Sequence, residues 1–131
     1  MTTAYSTAYV PRAPVLSVEL AFPDESPRVG PLAALVDTGS DGSLVPMAYL
    51  EELEASVAYS ARVRLIFGPP RTVNVYTVDL IIGSLRIPAV EVMGDDEGVE
   101  IMLGRNVLNR LILLLNGPHA MTDVLERPPK L

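Results

Sequence analysis

The chain has 131 residues, a formal net charge of -6 and no cysteine. Its length fits one domain, its acidic balance argues against a nucleic-acid partner, and the missing cysteines exclude disulfides and thiolate metal sites. The single histidine also excludes a metal site built from several histidines. The first residues lack a signal-peptide pattern, and no apolar run is long enough to span a bilayer. We therefore expect a cytoplasmic protein that needs no membrane, metal or cofactor.

Prolines and glycines divide the chain into short segments with the composition of β-strands. Residues 15–22 and 32–36 predict a first hairpin. Residues 61–67 and 72–78 predict a longer hairpin around a Gly-Pro-Pro-Arg turn at residues 68–71. Further strands are predicted at residues 78–82, 85–92, 100–103 and 111–115.

Two other segments have the composition of short helices. Residues 46–53 begin with a proline, which suits a first helical turn, and residues 106–110 fit one or two helical turns. Because many short strands are separated by turns, the sequence predicts a mostly-β barrel or sandwich. We assign residues 14–118 to the domain and expect a loosely ordered segment at residues 1–13 and a tail at residues 119–131.

One aspartate follows an apolar strand directly. Residues 34–46 read ALVDTGSDGSLVP, so three apolar residues lead into Asp37 and its carboxylate is expected at the mouth of the core. Gly39 permits a close backbone approach, and Thr38 and Ser40 provide hydroxyls beside the carboxylate. This segment alone leaves two interpretations open, a functional carboxylate and an ordinary turn-forming aspartate.

Two segments resemble motifs of the aspartic proteases. Residues 34–40, Ala-Leu-Val-Asp-Thr-Gly-Ser, resemble the active-site signature of this family. Residues 101–108, Ile-Met-Leu-Gly-Arg-Asn-Val-Leu, resemble the C-terminal motif of its retroviral-type members, the retropepsins. The order and separation of the motifs fit, and the resemblance covers about residues 15–117. It implies a mostly-β fold: a closed, single-lobed β-barrel of the acid-protease type with a flap hairpin and one short C-terminal helix.

The resemblance also implies an activity, the hydrolysis of peptide bonds by an aspartic endopeptidase. Such chemistry needs two carboxylates within hydrogen-bond reach, whereas this chain has one Asp-Thr-Gly segment. The retropepsin solution is a symmetric homodimer, in which Asp37 meets Asp37 of a second copy on the two-fold axis. Thr38 and Gly39 complete the implied catalytic turn. The implied partners are the second copy and a protein or peptide substrate.

Further site residues follow from the same resemblance. Asp41 and Arg105 are expected to form an ion pair that holds the active-site loop against the C-terminal helix, because arginine can bind a carboxylate through two nitrogens. The tip of the longer hairpin would close over the substrate. The residues assigned to substrate binding are Ser40, Asp41, Phe67, Gly68 and Pro69, and those assigned to structural support are Gly104, Arg105 and Asn106.

The last predicted strand is too apolar for an isolated exposed edge. By resemblance, it forms the dimer interface through Leu113, Leu114 and Leu115. The alternative is a buried core strand in a monomer. The acidic residues 95–97 lack the spacing of a calcium-binding loop, so they are predicted to form a solvated turn.

Two other functions stay open. The Gly-Pro-Pro tip of the hairpin is stiffer than the glycine-rich tips of retroviral members, since each proline fixes φ. The alternative function is therefore a catalytically inactive dimer of the same fold that binds peptides or mediates assembly. A small β-barrel unrelated to proteases would require both motifs to be coincidental, and it would be a monomer.

Overall fold

Ten β-strands and two short helices make up the regular structure of residues 1–64 and 68–130, the part of the chain that this computed structural model describes. The strands are β1 (Thr2–Ala4), β2 (Val15–Ala21), β3 (Val29–Val36), β4 (Ser43–Pro46), β5 (Ser56–Val63), β6 (Arg71–Ile82), β7 (Leu85–Asp95), β8 (Ile101–Leu103), β9 (Ile112–Asn116) and β10 (Met121–Leu125). The helices are α1 (Met47–Leu53) and α2 (Arg105–Leu108).

Six strands close into a barrel. Their order is β2-β3-β8-β4-β7-β6, and β6 returns to β2 through pairs such as Leu20 with Leu80. Strand β3 runs parallel to β8, and β4 runs parallel to β7. Strand β5 pairs with the first half of β6, along the same edge whose last residues pair with β2. The predicted mostly-β closed barrel is therefore confirmed. The boundaries at residues 14 and 118 remain a prediction.

The interior of the barrel is filled mainly by aliphatic side chains. Alternate residues of β2 point inward, as expected for a strand with one face on the core: Leu16 and Leu20 are fully buried and Val18 nearly so. Val78 and Leu80 of β6 are also fully buried, and Leu80 pairs with Leu20. Because tryptophan is absent, Leu, Val and Ile supply most of the buried volume. This packed core fixes the strand ends that carry the candidate site.

The long hairpin extends further than the sequence predicts. Its arms are β5 and β6, which pair from Ser56 with Thr77 to Val63 with Arg71. At the tip, Gly68 has φ +92°, a value that favours glycine, and a side chain there would meet open space. Gly68 and Pro69 are exposed, whereas Phe67 lies outside the described residues.

A second, three-stranded sheet joins the two ends of the chain. Its order is β1-β10-β9, so residues 2–4 and 121–125 are strands, and the expectation of a loosely ordered N-terminal segment is wrong. Short strands at the termini gain order from pairing with each other, a long-range contact with no local signature. The Tyr9 hydroxyl donates to the Glu100 carboxylate at 2.5 Å, which fastens the segment between β1 and β2. This hydrogen bond, together with burial and the charge of Glu100, raises the pKa of Tyr9 to about 12.

Strand β9 is not buried inside the barrel. Ile112, Leu114 and Leu115 are 36%, 42% and 48% exposed, and Met121 of the neighbouring β10 is 37% exposed. Only Leu113 packs partly against the core. The alternative of a buried core strand is therefore wrong. Ile112, Leu114 and Met121 lie on the outer side of the sheet and Leu115 lies on the other side, and we call these four exposed residues the β9 face.

Candidate active site

Asp37 directly follows β3 and lies between two neighbouring strands of the barrel. The Asp37 amide donates to the carbonyl of Leu103, the last residue of β8, at 3.0 Å. On the other side, the Val36 amide donates to the carbonyl of Pro14 at 3.1 Å. Because β3 and β8 are parallel, their carboxyl ends meet at the same edge of the barrel. The two sequence motifs are therefore adjacent in space.

The turn after Asp37 holds the carboxylate in place. Asp37 Oδ1 accepts the Gly39 amide at 2.9 Å, and the Asp37 carbonyl accepts the Ser40 amide at 3.3 Å. A Cβ on Gly39 would lie 3.2 Å from Asp37 Oδ1, so a side chain there would crowd the carboxylate. Asp37 is half-buried, while Thr38 and Gly39 are exposed. The turn thus carries a fixed carboxylate that is partly open to solvent.

The predicted ion pair between Asp41 and Arg105 does not form. No salt bridge joins them in residues 1–64 and 68–130. Instead, Arg105 Nη1 donates to the Thr38 carbonyl at 2.9 Å. The backbone amides of Arg105 and Asn106 donate to the carbonyls of Ser40 and Asp41 at 2.8 and 3.3 Å. The loop is therefore held against α2 as predicted, but through its carbonyl groups, and the Asp41 carboxylate is exposed.

Gly104 allows this close approach between the two motifs. A Cβ at this position would lie 2.1 Å from the Gly42 carbonyl oxygen and 2.8 Å from the Ser40 carbonyl oxygen. Backbone atoms cannot move aside as the end of a flexible side chain can. Gly104 has an extended conformation, with φ -96°, so contact rather than backbone strain requires a glycine here.

Ser43 is a supporting residue that the sequence analysis missed. It is 1% exposed, its hydroxyl accepts the Gly104 amide at 2.9 Å, and it donates to Asn106 Oδ1 at 2.7 Å. Asn106 Nδ2 in turn donates to the Glu91 carbonyl at 2.9 Å. This chain of hydrogen bonds joins β4, α2 and β7 beneath the loop. In the sequence, the only indication of this role is the position of Ser43, a few residues after the segment that resembles the active-site signature.

The remaining predicted site residues divide into two groups. Ser40 is half-buried, and its hydroxyl donates to the Gly42 carbonyl at 2.8 Å, so it shapes the loop. Gly68 and Pro69 lie at the exposed tip of the β5–β6 hairpin. The structure brings together the residues of the two motifs: Asp37, Thr38, Gly39, Ser40, Asp41, Gly104, Arg105 and Asn106.

The fold is similar to three solved structures. A retropepsin-like aspartic protease from Rickettsia conorii matches with a TM-score of 0.67 and 13% identity, over 95% of this chain and 88% of that one. EIAV protease complexed with the inhibitor HBY-793 matches with a TM-score of 0.51 and 22% identity, over 82% and 93%. The retroviral protease-like domain of Ddi1 from Leishmania major gives 0.52 and 16%, over 86% and 90%. No protein-family model matches the chain, and no curated protein matches it in sequence.

The chain has the retropepsin-like fold. The similarity inferred from the two motifs is thereby confirmed at the level of the fold. In this retropepsin-like barrel, the Asp37 turn and the α2 motif occupy one edge. No group of three or more His, Asp or Glu side chains in the described ranges is placed to hold a metal ion. Neither α1 nor α2 is long and apolar enough to cross a membrane, and the described residues form no other α-helix.

A groove of about 750 Å³ opens elsewhere on the retropepsin-like barrel. It lies between α1, the first half of β6, the end of β7 and the loop that follows β7. Pro46, at the end of β4, belongs to its wall. Asp37 does not line this groove, so the groove is distinct from the turn that carries the candidate catalytic carboxylate.

Proposed function

We propose that the chain is one protomer of a homodimeric aspartic endopeptidase. The observation that carries this proposal is the hydrogen-bonded Asp-Thr-Gly turn, which holds one half-buried carboxylate at an open edge of a retropepsin-like barrel. A single carboxylate cannot perform acid and base catalysis at once. A two-fold axis beside the turn would place Asp37 against Asp37 of a second copy and complete the pair.

The chemistry follows from two carboxyl groups that share one proton. Like charges a few ångströms apart cannot both ionise easily, so one group is protonated and the other is not. The ionised carboxylate removes a proton from water, whose oxygen attacks the carbonyl carbon of the peptide bond. The protonated carboxyl group donates its proton to the carbonyl oxygen. The tetrahedral intermediate then collapses: the first carboxyl group gives the proton that it took from water to the amine nitrogen, the second carboxylate accepts a hydroxyl proton of the intermediate, and the C–N bond breaks.

The surroundings of Asp37 suit this role because they restrict its movement. Gly39 donates to its carboxylate, and Arg105 and Ser43 hold the loop through hydrogen bonds on the opposite side. A catalytic pair loses rate steeply when its groups are displaced by about 1 Å. These residues therefore act as positioning residues.

The β9 face is the surface that we assign to dimerisation. Strand β9 pairs with β10 along one edge and with no other described strand, so its second edge carries unpaired backbone groups. An apolar edge of this kind favours pairing with another chain. A second copy would cover Leu114 and Leu115 and extend the sheet across the two-fold axis. Leu113, which packs partly on the core, would support the interface from behind.

The substrate that fits this arrangement is an extended polypeptide. It would lie between the Asp37 turns and the two β5–β6 hairpins, where it could add hydrogen bonds as an extra strand. In this proposal Ser40 and Asp41 border the floor of the cleft, and the hairpin tips with Gly68 and Pro69 cover it and exclude water. Phe67 lies outside the described residues, and its assignment to substrate binding stays a prediction.

The test is a cleavage assay on a peptide library with mass-spectrometric detection. We expect cleavage by the unmodified chain, and loss of cleavage in Asp37→Asn with the circular dichroism spectrum unchanged. Glu52→Gln, an exposed change on α1, is the matched control and should cleave normally. Cleavage that persists in Asp37→Asn would contradict the proposed mechanism. A dimer that binds peptides but cleaves none would instead identify the inactive binding module.

A further inference from the structure

The groove beside α1 has acidic and aromatic walls. Met47, Tyr49 and Tyr76 line it together with Val99, which is 82% exposed. Its charged lining residues are three carboxylates: Glu51, Asp95 and Asp96. Among the described lining residues there is no lysine or arginine. The groove therefore combines apolar surface with uncompensated negative charge.

Tyr76 provides an observation independent of these charges. Tyr76 is 7% exposed, and it forms part of the groove wall. An aromatic ring at this wall offers a surface on which a planar cation can stack. Gly94 leaves space for the Tyr76 ring, because a Cβ on Gly94 would lie 2.8 Å from Tyr76 Cε1 and 2.6 Å from Met47 Sδ.

Unlike neighbouring Glu97, the three groove carboxylates have no cationic partner among the residues that the structure describes. Glu97 is paired with Arg71 at 3.1 Å, but Glu51 and Asp96 make no side-chain hydrogen bond or ion pair within the described residues. Asp95 uses Oδ1 to accept the amides of Glu97 and Gly98, which leaves Oδ2 for an occupant. A guanidinium fits such a groove best, because it binds carboxylates and also stacks on aromatic rings.

We propose that this groove binds an arginine side chain of the polypeptide substrate, an inference that rests on the proposed endopeptidase function. Strand β4 links the two places: Ser43 lies beneath the Asp37 loop, and Pro46 lines the groove. Ser43 and Pro46 are three residues apart on this strand, a separation of about 10 Å. An extended substrate covers the same distance in about three residues. The enzyme would thus prefer substrates with an arginine about three residues from the scissile bond.

The test separates binding from cleavage by using the full chain with Asp37→Asn. The probes are fluorescein-labelled ten-residue peptides of alanine, leucine and serine, with one arginine placed at each position in turn. Matched peptides carry citrulline, a neutral analogue of arginine. Fluorescence anisotropy gives the affinity of each pair at low and high salt. The same measurements are made after adding Asp96→Asn or Glu51→Gln, with Glu52→Gln as the control.

At the favoured position, we expect arginine to bind about tenfold more tightly than citrulline, equivalent to about 1.4 kcal/mol. The preference should shrink at high salt, where charges are screened, and in the Asp96 and Glu51 variants but not in the Glu52 control. Equal binding of arginine and citrulline peptides would overturn the inference, whether or not the unmodified chain cleaves peptides. Preferential arginine binding by a chain that cleaves nothing would support the groove and contradict the proposed peptidase function.

Discussion

Arg86 and Asp79 form an ion pair in which the carboxylate is buried and the guanidinium is partly exposed. Arg86 Nε donates to Asp79 Oδ2 at 2.9 Å, Arg86 Nη2 lies 2.8 Å from the same oxygen, and Asp79 is 1% exposed. The carboxylate also accepts the amides of Asp24 at 3.0 Å and Ala89 at 2.8 Å. Both residues have left-handed φ values, +66° and +52°. One carboxylate thus holds the turn after β2 and an irregular point within β7 in a conformation that side chains disfavour.

Asp79→Ala should therefore destabilise the chain strongly. The substitution removes the carboxylate that accepts two backbone amides and the Arg86 guanidinium. It also removes the restraint on the two residues with left-handed φ, Asp24 and Ala89. Breaking a buried ion pair costs about 3–5 kcal/mol, and partial exposure of Arg86 puts the expected loss near the lower bound, about 3 kcal/mol. Urea unfolding measures this change. Asp96→Ala, an exposed aspartate, is the control and should alter the free energy of unfolding by less than about 0.5 kcal/mol.

The same pair predicts how stability changes with pH. Burial alone would raise the pKa of Asp79, but the amides of Ala89 and Asp24 and the Arg86 guanidinium outweigh it, and the pKa lies below its ordinary value of 3.8. Because the folded pKa is the lower one, the stabilisation is present above the unfolded value and is lost as the pH falls through the folded pKa. Denaturant unfolding of the unmodified chain and Asp79→Asn should differ by a constant amount above about pH 5 and converge in more acidic solution. A difference that grows on acidification would contradict this assignment.

Gly104→Ala should disturb the active-site loop. The added Cβ meets the Gly42 carbonyl at 2.1 Å, so either the loop or α2 must shift. We expect a loss of about 3 kcal/mol of stability and about a hundredfold lower peptidase rate. Gly117→Ala is the matched control, because a Cβ there meets nothing within 4 Å. Normal stability and activity in Gly104→Ala would show that the loop tolerates displacement.

Ser43→Ala tests the support beneath the loop. The substitution leaves the buried Gly104 amide without an acceptor, which costs about 1–3 kcal/mol. For the proposed peptidase we expect kcat to fall more than KM rises, because Ser43 would position the Asp37 loop from its buried side. Ser60→Ala removes an exposed hydroxyl that donates to Asn74 and should leave both parameters unchanged. A purely structural role for Ser43 would lower stability but leave kcat of the folded enzyme intact.

Leu114→Lys tests the β9 face. Leu114 is 42% exposed and pairs with Asp123 across the sheet, so the lysine gains an opposite charge within its own protomer. Two such lysines would meet an apolar interface in the dimer, and we expect association to weaken at least about tenfold. Sedimentation equilibrium measures this shift. Val57→Lys, on exposed β5, is the control, and an unchanged dimer in Leu114→Lys would exclude the β9 face as the interface.

Local pattern was sufficient for much of the fold. The β2–β3 hairpin, α1 and the Asp37 turn were predicted correctly because their signals lie within a few neighbouring residues. Strands β1 and β10 were missed because each depends on the other across the length of the chain. A strand of three residues has too little alternation to reveal itself.

In the candidate site, too, local motifs were predicted correctly and contacts between distant residues were not. The sequence resemblance brought Asp37 and the residues around Arg105 together, yet it named the wrong acceptor for the Arg105 guanidinium. Whether a guanidinium reaches a carboxylate or a nearby carbonyl depends on side-chain direction, which the motif does not contain. Ser43 was missed because its partners Gly104 and Asn106 lie 61 and 63 residues away.

Strand β6 is continuous from the hairpin to the barrel wall, and this constrains how the hairpin can move. Its first half pairs with β5, its last residues pair with β2, and its pairing with β7 shifts register between Val78 and Leu80, on either side of Asp79. The hairpin therefore has no loop hinge at this arm. In the proposed peptidase, the hairpin would open by twisting of β6, with the buried Asp79 carboxylate as the fixed point, and the stiffness of that anchor would set how far the tip can travel.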